Sequence, residues 1–342
     1  MNSTPIPMME TTNFTNYENS SNMTTAPPFY CDGGCIFYSL ANALIFILGV
    51  VGNGLVIWIA GFKIKKSINS TWYLSLALSD VLFCCTLPVG IVHVVKNDWI
   101  FGLFMCKFIF FNMYFNWFSS IFLLVIISVD RCVVVMFPVW AQNHRTTRKA
   151  SVIVLLAWIT SAVCSLPSAI YLDIEYDADY MQTVCFTNYE NDQQQVTDVV
   201  CRFVFGFMIP FLIIIFCYFI IIRKLKSNQM AKSLKPFKIM TVLIAAFLIC
   251  WLPFHIVALL DLNYEKYGGF TEKALTVCVI FANANSCLNP FLYTFMGKDF
   301  KKQCYSVLTK IENAIREDES QYRQRGSTVT NSGETNLSTS VH

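Results

Sequence analysis

Basic side chains are missing from two long stretches of this sequence. No Lys or Arg precedes Lys63, and none lies between Ala150 and Cys201. The first gap leaves no positively charged n-region of the kind a cleaved secretory signal needs, so the first apolar run itself is expected to direct insertion. It also leaves no basic arm to neutralise phosphates, and no nucleic-acid partner is expected. Other absences narrow the reading further. No nucleophile, base and orienting group converge in any motif, so an enzyme is not expected. A light-driven pump would need a retinal-linking lysine midway along the last apolar run, but Lys273 stands at its outer end. Repeated halves with paired broken helices, the mark of many transporters, are missing too. Charge of either sign is scarce, 14% against 55% hydrophobic residues, which is too apolar a balance for a soluble globular protein.

What is present is long apolar runs. A hydrocarbon core about 30 Å thick takes roughly 20 helical residues per crossing. Runs of that kind fall near 36–62, 71–95, 103–136, 151–171, 197–222, 236–261 and 273–296. The expected fold is an all-α membrane protein, a seven-transmembrane helix bundle over 36–296 with a short amphipathic eighth helix over 297–312. An arm (1–35) precedes the bundle and a disordered tail (313–342) follows.

Loop charge orients the bundle, because Lys and Arg near span ends stay cytoplasmic. Lys63, Lys65 and Lys66, then Arg145, Arg148 and Lys149, then Arg223, Lys224, Lys226, Lys232, Lys235 and Lys238 mark the inner face. Asp173, Glu175, Asp177, Asp179, Glu190 and Asp192 crowd an outer loop. The expected location is the plasma membrane, with the N-terminus extracellular and the C-terminus cytoplasmic. The arm carries glycosylation sequons at Asn2, Asn13, Asn19 and Asn22, whereas those at Asn69 and Asn336 face inward and stay bare. Among the 14 cysteines, Cys106 opens the third run and Cys185 lies in the acidic loop. A bridge between them would pin that loop across the mouth of the bundle. Cys31 and Cys35 could close a small ring or remain free.

Polar residues inside hydrocarbon persist where they face a bundle interior and act there. The third run carries Asp130-Arg131-Cys132, the sixth Cys250-Trp251-Leu252-Pro253, and the seventh Asn289-Pro290-Phe291-Leu292-Tyr293. Gly52-Asn53-Gly54-Leu55-Val56, Leu76-Ala77-Leu78-Ser79-Asp80, Trp99-Ile100-Phe101-Gly102, Trp158, Pro210 and Tyr218 join them. In this order the motifs resemble the rhodopsin-like G-protein-coupled receptors along the whole membrane-spanning length. Pro138-Val139-Trp140-Ala141-Gln142-Asn143-His144-Arg145 and Met296-Gly297-Lys298-Asp299-Phe300 resemble the chemoattractant branch. Within it, Lys235-Pro236-Phe237-Lys238-Ile239 leans toward the chemerin receptors, with the formyl peptide receptors close.

Asp80 needs a partner or a proton in mid-span. Asn116 and Ser120 are one turn apart on the third helix, and Asn285 and Asn289 one turn apart on the seventh, so each pair faces one way. These oxygens suit a small hard cation, and the resemblance implies Na⁺ stabilising the inactive bundle. A water-filled network around a protonated Asp80 is the alternative. At the inner rim Asp130 can pair with Arg131. The resemblance implies that activation frees Arg131 to reach toward Tyr218 and Tyr293. An acid at the foot of the sixth helix would lock it, but Lys232-Ser233-Leu234-Lys235 supplies at most a hydrogen bond from Ser233. Pro253 bends the sixth helix under Trp251 and Phe247, making a hinge, and Pro290 belongs to the same switch set.

The ligand site is expected to open outward. Arg202 precedes Pro210 by eight residues, about 12 Å along a helix. It could clamp a ligand carboxylate or pair with Asp198 one turn earlier. Asp261 is a second anchor, and Tyr114, Met113, Phe254, His255 and Phe186 are candidate walls. Cys304, on the apolar face of the eighth helix, is a palmitoylation candidate. Phosphorylation of the Ser/Thr-rich tail by receptor kinases would create an arrestin-binding strip. The resemblance implies a receptor in the lipid bilayer for an extracellular peptide or protein chemoattractant, signalling through a heterotrimeric G protein of the Gi class and arrestin. A receptor for a lipid acid and a non-signalling scavenger are the alternatives.

Overall fold

The computed structural model describes residues 31–178, 181–227 and 235–294, together with 302, 305, 306 and 309. The chain forms α1 (Gly33–Trp58), α2 (Ile68–Cys84), α3 (Leu87–Lys96), α4 (Gly102–Met136), α5 (Pro138–His144), α6 (Thr147–Ile170), the strands β1 (Leu172–Asp177) and β2 (Gln182–Thr187), α7 (Asp192–Phe203), α8 (Ile209–Ser227), α9 (Lys235–Asp261) and α10 (Tyr264–Thr294). Among the described residues seven helical segments are long and apolar enough to cross a membrane. The second joins α2 to α3 and the fifth joins α7 to α8, while α4, α6, α9 and α10 supply the third, fourth, sixth and seventh.

Side-chain caps set several of the boundaries. Asp32 caps α1 by accepting the Cys35 amide at 2.8 Å, so the helix begins inside the stretch expected to be arm. Ser67 and Ser70 form a reciprocal capping box at the start of α2, with bonds of 2.8 and 3.1 Å. Pro88, in the first turn of α3, follows the break after Cys84, where the Thr86 hydroxyl satisfies the Phe83 carbonyl at 2.7 Å. The seventh helix starts at Tyr264 rather than near 273, because the polar stretch Tyr264–Lys273 is helical outside the apolar run. Past the bundle, Lys302, Tyr305, Ser306 and Thr309 are helical, and Thr309 donates to the Tyr305 carbonyl at 2.9 Å. The arm sequons, Ser233, the Tyr293 side chain and Cys304 lie outside the described residues.

The helix α4 is the axis of the bundle, packing against α2, α6, α8 and α9. Its buried face runs from Cys106 to Ser128. Two glycines permit close approach. A Cβ on Gly206, in the π-helical turn Val204–Met208, would sit 2.6 Å from the Trp117 ring of α4. On α1, a Cβ on Gly49 would lie 2.3 Å from Sγ of Cys84.

The sequence reading did not anticipate the antiparallel hairpin between α6 and α7, although Leu172–Asp177 alternates apolar and acidic residues; in it Ile174 faces Cys185. It is tied to the bundle three ways. Cys106 and Cys185 form the expected disulfide, with Cα atoms 6.0 Å apart. The Thr183 amide donates to Asp98 at 2.8 Å, and the Trp99 amide donates to the Thr183 carbonyl at 2.9 Å. Cys31 and Cys35, whose pairing the sequence left open, are bridged.

The Gly49 contact yields a test of α1–α2 packing. Gly49→Ala should lower the thermal midpoint of the purified receptor by the equivalent of about 1–3 kcal/mol, the usual cost of overpacking. Adding Cys84→Ala, which removes the clashing sulfur, should recover most of the loss. Unchanged melting of Gly49→Ala would contradict the packing described.

Candidate functional site

Four side chains from three elements answer one another toward the end of the bundle that carries the hairpin. Arg202, in the last turn of α7, bridges Asp198 one turn back, Nη2 to Oδ2 at 2.8 Å. Its Nη1 donates to the Tyr114 hydroxyl on α4, and its guanidinium lies 4.8 Å from the centre of that ring. Tyr189, just beyond the hairpin, donates to Asp198 Oδ2 at 2.7 Å. Burial and the Asp198 carboxylate hold the Tyr189 phenol above its usual range against the pull of Arg202, so it stays a donor. Of the two readings of Arg202, the pair with Asp198 is the one present here. Tyr189 was not anticipated, because no local periodicity connects it with α7.

The other expected wall residues separate into two groups. Met113 and Phe186 share a core cluster with Trp99, Cys106 and Cys185, and Tyr114 packs against it. Phe254 and His255 belong to an aromatic column below Arg202. Trp117 stacks on Trp251 at 5.6 Å and lies 4.9 Å from His255, whose ring is 4.8 Å from Phe207 and 5.6 Å from Phe254. Phe247 lies 6.1 Å from Trp251 on α9, which contains Pro253. The indole N–H groups of Trp117 and Trp251 and Nε2 of His255 are buried without a protein partner. Trp117 was missed by the sequence reading, although it adjoins Asn116. Asp261 stands apart, accepting from the Thr271 hydroxyl at 2.6 Å.

Asp80 on α2 has no solvent exposure. Oδ1 accepts from Asn116 of α4 at 2.9 Å and Oδ2 from Asn289 of α10 at 2.8 Å. The Asn116 carbonyl oxygen accepts from Ser286 at 3.0 Å, and the Ser286 backbone carbonyl accepts from Asn53 of α1 at 2.7 Å. One chain of bonds therefore joins four helices. Two of the five expected residues bond Asp80 directly. Asn285 is buried but makes no bond to it, and Ser286, three positions before Asn289, takes up the network instead. The Ser120 hydroxyl and the Asn53 side-chain oxygen are buried without partners. Each Asp80 oxygen retains a lone pair. The residues present therefore fit a hard cation, which takes oxygen ligands.

Toward the C-terminal end of α4, Asp130 pairs chiefly with a residue the sequence did not suggest. Arg145, just after α5, holds it in a fork, Nε to Oδ1 and Nη2 to Oδ2, both at 2.7 Å. Arg131 is 3.6 Å from Asp130 and instead donates to the Asn69 side-chain oxygen on α2. The expected Asp130–Arg131 pair is thus the weaker one, because the planar fork of Arg145 matches both carboxylate oxygens. Arg131 lies within α4, which continues to Met136. Tyr218 of α8 accepts from Thr241 of α9 at 3.5 Å, and Pro290 is buried on α10.

The Arg202–Asp198 pair, with side chains 18% and 10% exposed, should behave as a buried pair. Arg202→Met or Asp198→Leu alone should cost about 3–5 kcal/mol of stability by leaving one charge unanswered, and the double variant should recover most of it. Thermal unfolding of the purified variants reads this out. Losses that add in the double variant would contradict the pairing.

Comparison with known proteins agrees with this geometry. Residues 52–293 match the family model of the 7 transmembrane receptor (rhodopsin family). The chain is 39% identical to the chemerin-like receptor 1 of Homo sapiens, over 83% of this chain and 81% of that one. It is 39% identical to the C3a anaphylatoxin chemotactic receptor of Oncorhynchus mykiss, over 80% and 77%. To the formyl peptide receptor-related sequence 1 of Mus musculus it is 37% identical, over 81% and 84%. With the bundle, the Asp80 network and the Asp130-Arg131 rim in place, the chain belongs to the rhodopsin family of seven-transmembrane receptors.

Proposed function

We propose that this receptor resides in the plasma membrane with its N-terminus outside, binds an extracellular chemoattractant peptide or small protein, and activates a heterotrimeric G protein of the Gi class. Arrestin follows once receptor kinases modify the tail. The relatives support the ligand class: one is named for chemerin, one for C3a and one for formyl peptides.

The observation that carries the reading is a continuous path along α4. Tyr114 bonds Arg202 and lies 6.1 Å from Trp117, Trp117 stacks on Trp251, and the neighbouring Asn116 donates to Asp80. A ligand carboxylate competing with Asp198 for Arg202 would shift Tyr114 and with it the column. A ligand hydrogen-bonding group reaching deeper would find the unpartnered nitrogens of Trp117, Trp251 and His255. Trp251 sits two residues before Pro253, where the missing backbone bond lets α9 swing. Outward movement of its inner half opens the cleft in which Arg131 meets the G protein. In the resting bundle, Na⁺ held by Asp80, Ser120 and neighbouring oxygens opposes that movement.

A cell assay tests the reading. Cells expressing the receptor should lower stimulated cAMP in response to at least one of chemerin, C3a and N-formyl peptides. Arg202→Met combined with Asp198→Leu, the pair that restores stability, should reach the surface yet cost about 2–5 kcal/mol in agonist affinity, as truncating one side of a buried charge contact does. A response to fatty acids and to no peptide would move the ligand class to lipid acids. Silence to every ligand, with agonist taken up normally, would make the protein a scavenger.

A further inference from the structure

This inference rests on the coupling reading above and concerns what restrains Arg131 before activation. The sequence offers Asp130 as its obvious partner, yet both Asp130 oxygens are engaged by Arg145 at 2.7 Å, against 3.6 Å for Arg131. One carboxylate cannot give two guanidinium groups the same in-plane fork, and Arg145 has it. The Arg131 Nη2 turns to the side-chain oxygen of Asn69. Asn69 is the second residue of α2, directly between the two halves of the Ser67–Ser70 capping box, so the backbone that carries it is fixed. The foot of the sixth helix carries Lys232 and Lys235, and no acid there is available to take Arg131.

We propose that Asn69 is the resting-state latch of Arg131 and a positioning residue for G-protein coupling. Arg145 is its enabling partner, because by occupying Asp130 it hands the restraint of Arg131 to a neutral amide. A latch made of a charge-assisted hydrogen bond to a neutral amide, with Asp130 held off at 3.6 Å by its fork to Arg145, opens more readily than a forked ion pair. Arg131 can leave Asn69 without stranding an anion, and the Asn69 amide, exposed at the rim, passes to water.

The test is agonist-free nucleotide exchange on Gi by full-length receptor in lipid nanodiscs, at matched receptor amounts. Asn69→Ala and Asn69→Leu should raise exchange by about tenfold, the shift that loss of one charged hydrogen bond confined to the resting state produces. Asn69→Asp, which keeps the acceptor and adds charge, should hold exchange at or below the wild-type rate. Adding Arg145→Gln to Asn69→Ala should bring exchange back toward wild type, because Asp130 is then free to recapture Arg131. A structural defect would not be relieved by that second change.

Wild-type exchange rates in Asn69→Ala, or equal rates in the Ala and Asp variants, would overturn the latch. If a peptide active in the cell assay drives exchange by wild type in that same experiment, only the latch falls. If wild type drives no exchange with any peptide of the panel, the coupling reading falls and takes the latch with it.

Discussion

A carboxylate with no exposure to solvent sits in the second span, and the arrangement of the bundle's middle depends on answering it. Asp80 is met by two amide donors from different helices, Asn116 and Asn289, and Ser286 and Asn53 extend the network to α1. Within hydrocarbon no water replaces a lost partner, so α1, α2, α4 and α10 must keep the register that these bonds require. Such a group adds little net stability, since its desolvation offsets much of what its partners return. What it supplies is a specific arrangement that a bound cation or a moving helix can bias.

The rest of the molecule surrounds that point. Above it, the aromatic column of Trp117, Trp251, His255 and Phe207 fills the bundle, and the π-helical turn at Gly206 brings the fifth span close enough to touch Trp117. Above the column, Arg202 and Asp198 neutralise each other and are hydrogen-bonded by Tyr114 and Tyr189, and the hairpin is held to α4 by Cys106–Cys185. Below it, the α4 rim divides its two charges, Asp130 to Arg145 and Arg131 to Asn69. Tyr114, Asn116, Trp117, Asp130 and Arg131 all lie on α4, so a small rotation or slide of this one helix reaches both ends. Helices packed in this way move between discrete arrangements rather than deform.

Features set by short-range chemistry were legible in the sequence. The spans follow from run length, whereas the meeting of Asn116 and Asn289 at Asp80 was implied by the resemblance to the receptor family, spacing alone showing only that Asn116 and Ser120, and Asn285 and Asn289, face one way. The Arg202–Asp198 pair is an i, i+4 relation and was visible as one of two readings. What escaped depends on elements meeting in three dimensions. Arg145 reaches Asp130 only because the short helix α5 folds back beside α4, and Asn69 reaches Arg131 only because α2 starts next to that rim. Both 285 and 286 lie one turn from Asn289, so spacing could not choose between them, and it is the Ser286 hydroxyl that reaches the Asn116 side-chain oxygen at 3.0 Å. The hairpin was legible and was passed over: Leu172–Asp177 alternates apolar and acidic residues, the strand period, but the acids were read only as loop charge. Tyr264–Lys273 escaped because its helix lies beyond the apolar run.

The sodium ion we propose at Asp80 would be the counter-ion of the resting bundle and not of the active one. By linkage, an ion that prefers the resting state must weaken an agonist that prefers the active one. Agonist affinity should therefore be measured on membranes with sodium chloride and with a bulky organic chloride at equal ionic strength, for wild type and Asp80→Asn. The account predicts affinity weakened by sodium about tenfold in wild type and not at all in the variant. Equal sodium sensitivity in both, or none in either, would contradict it.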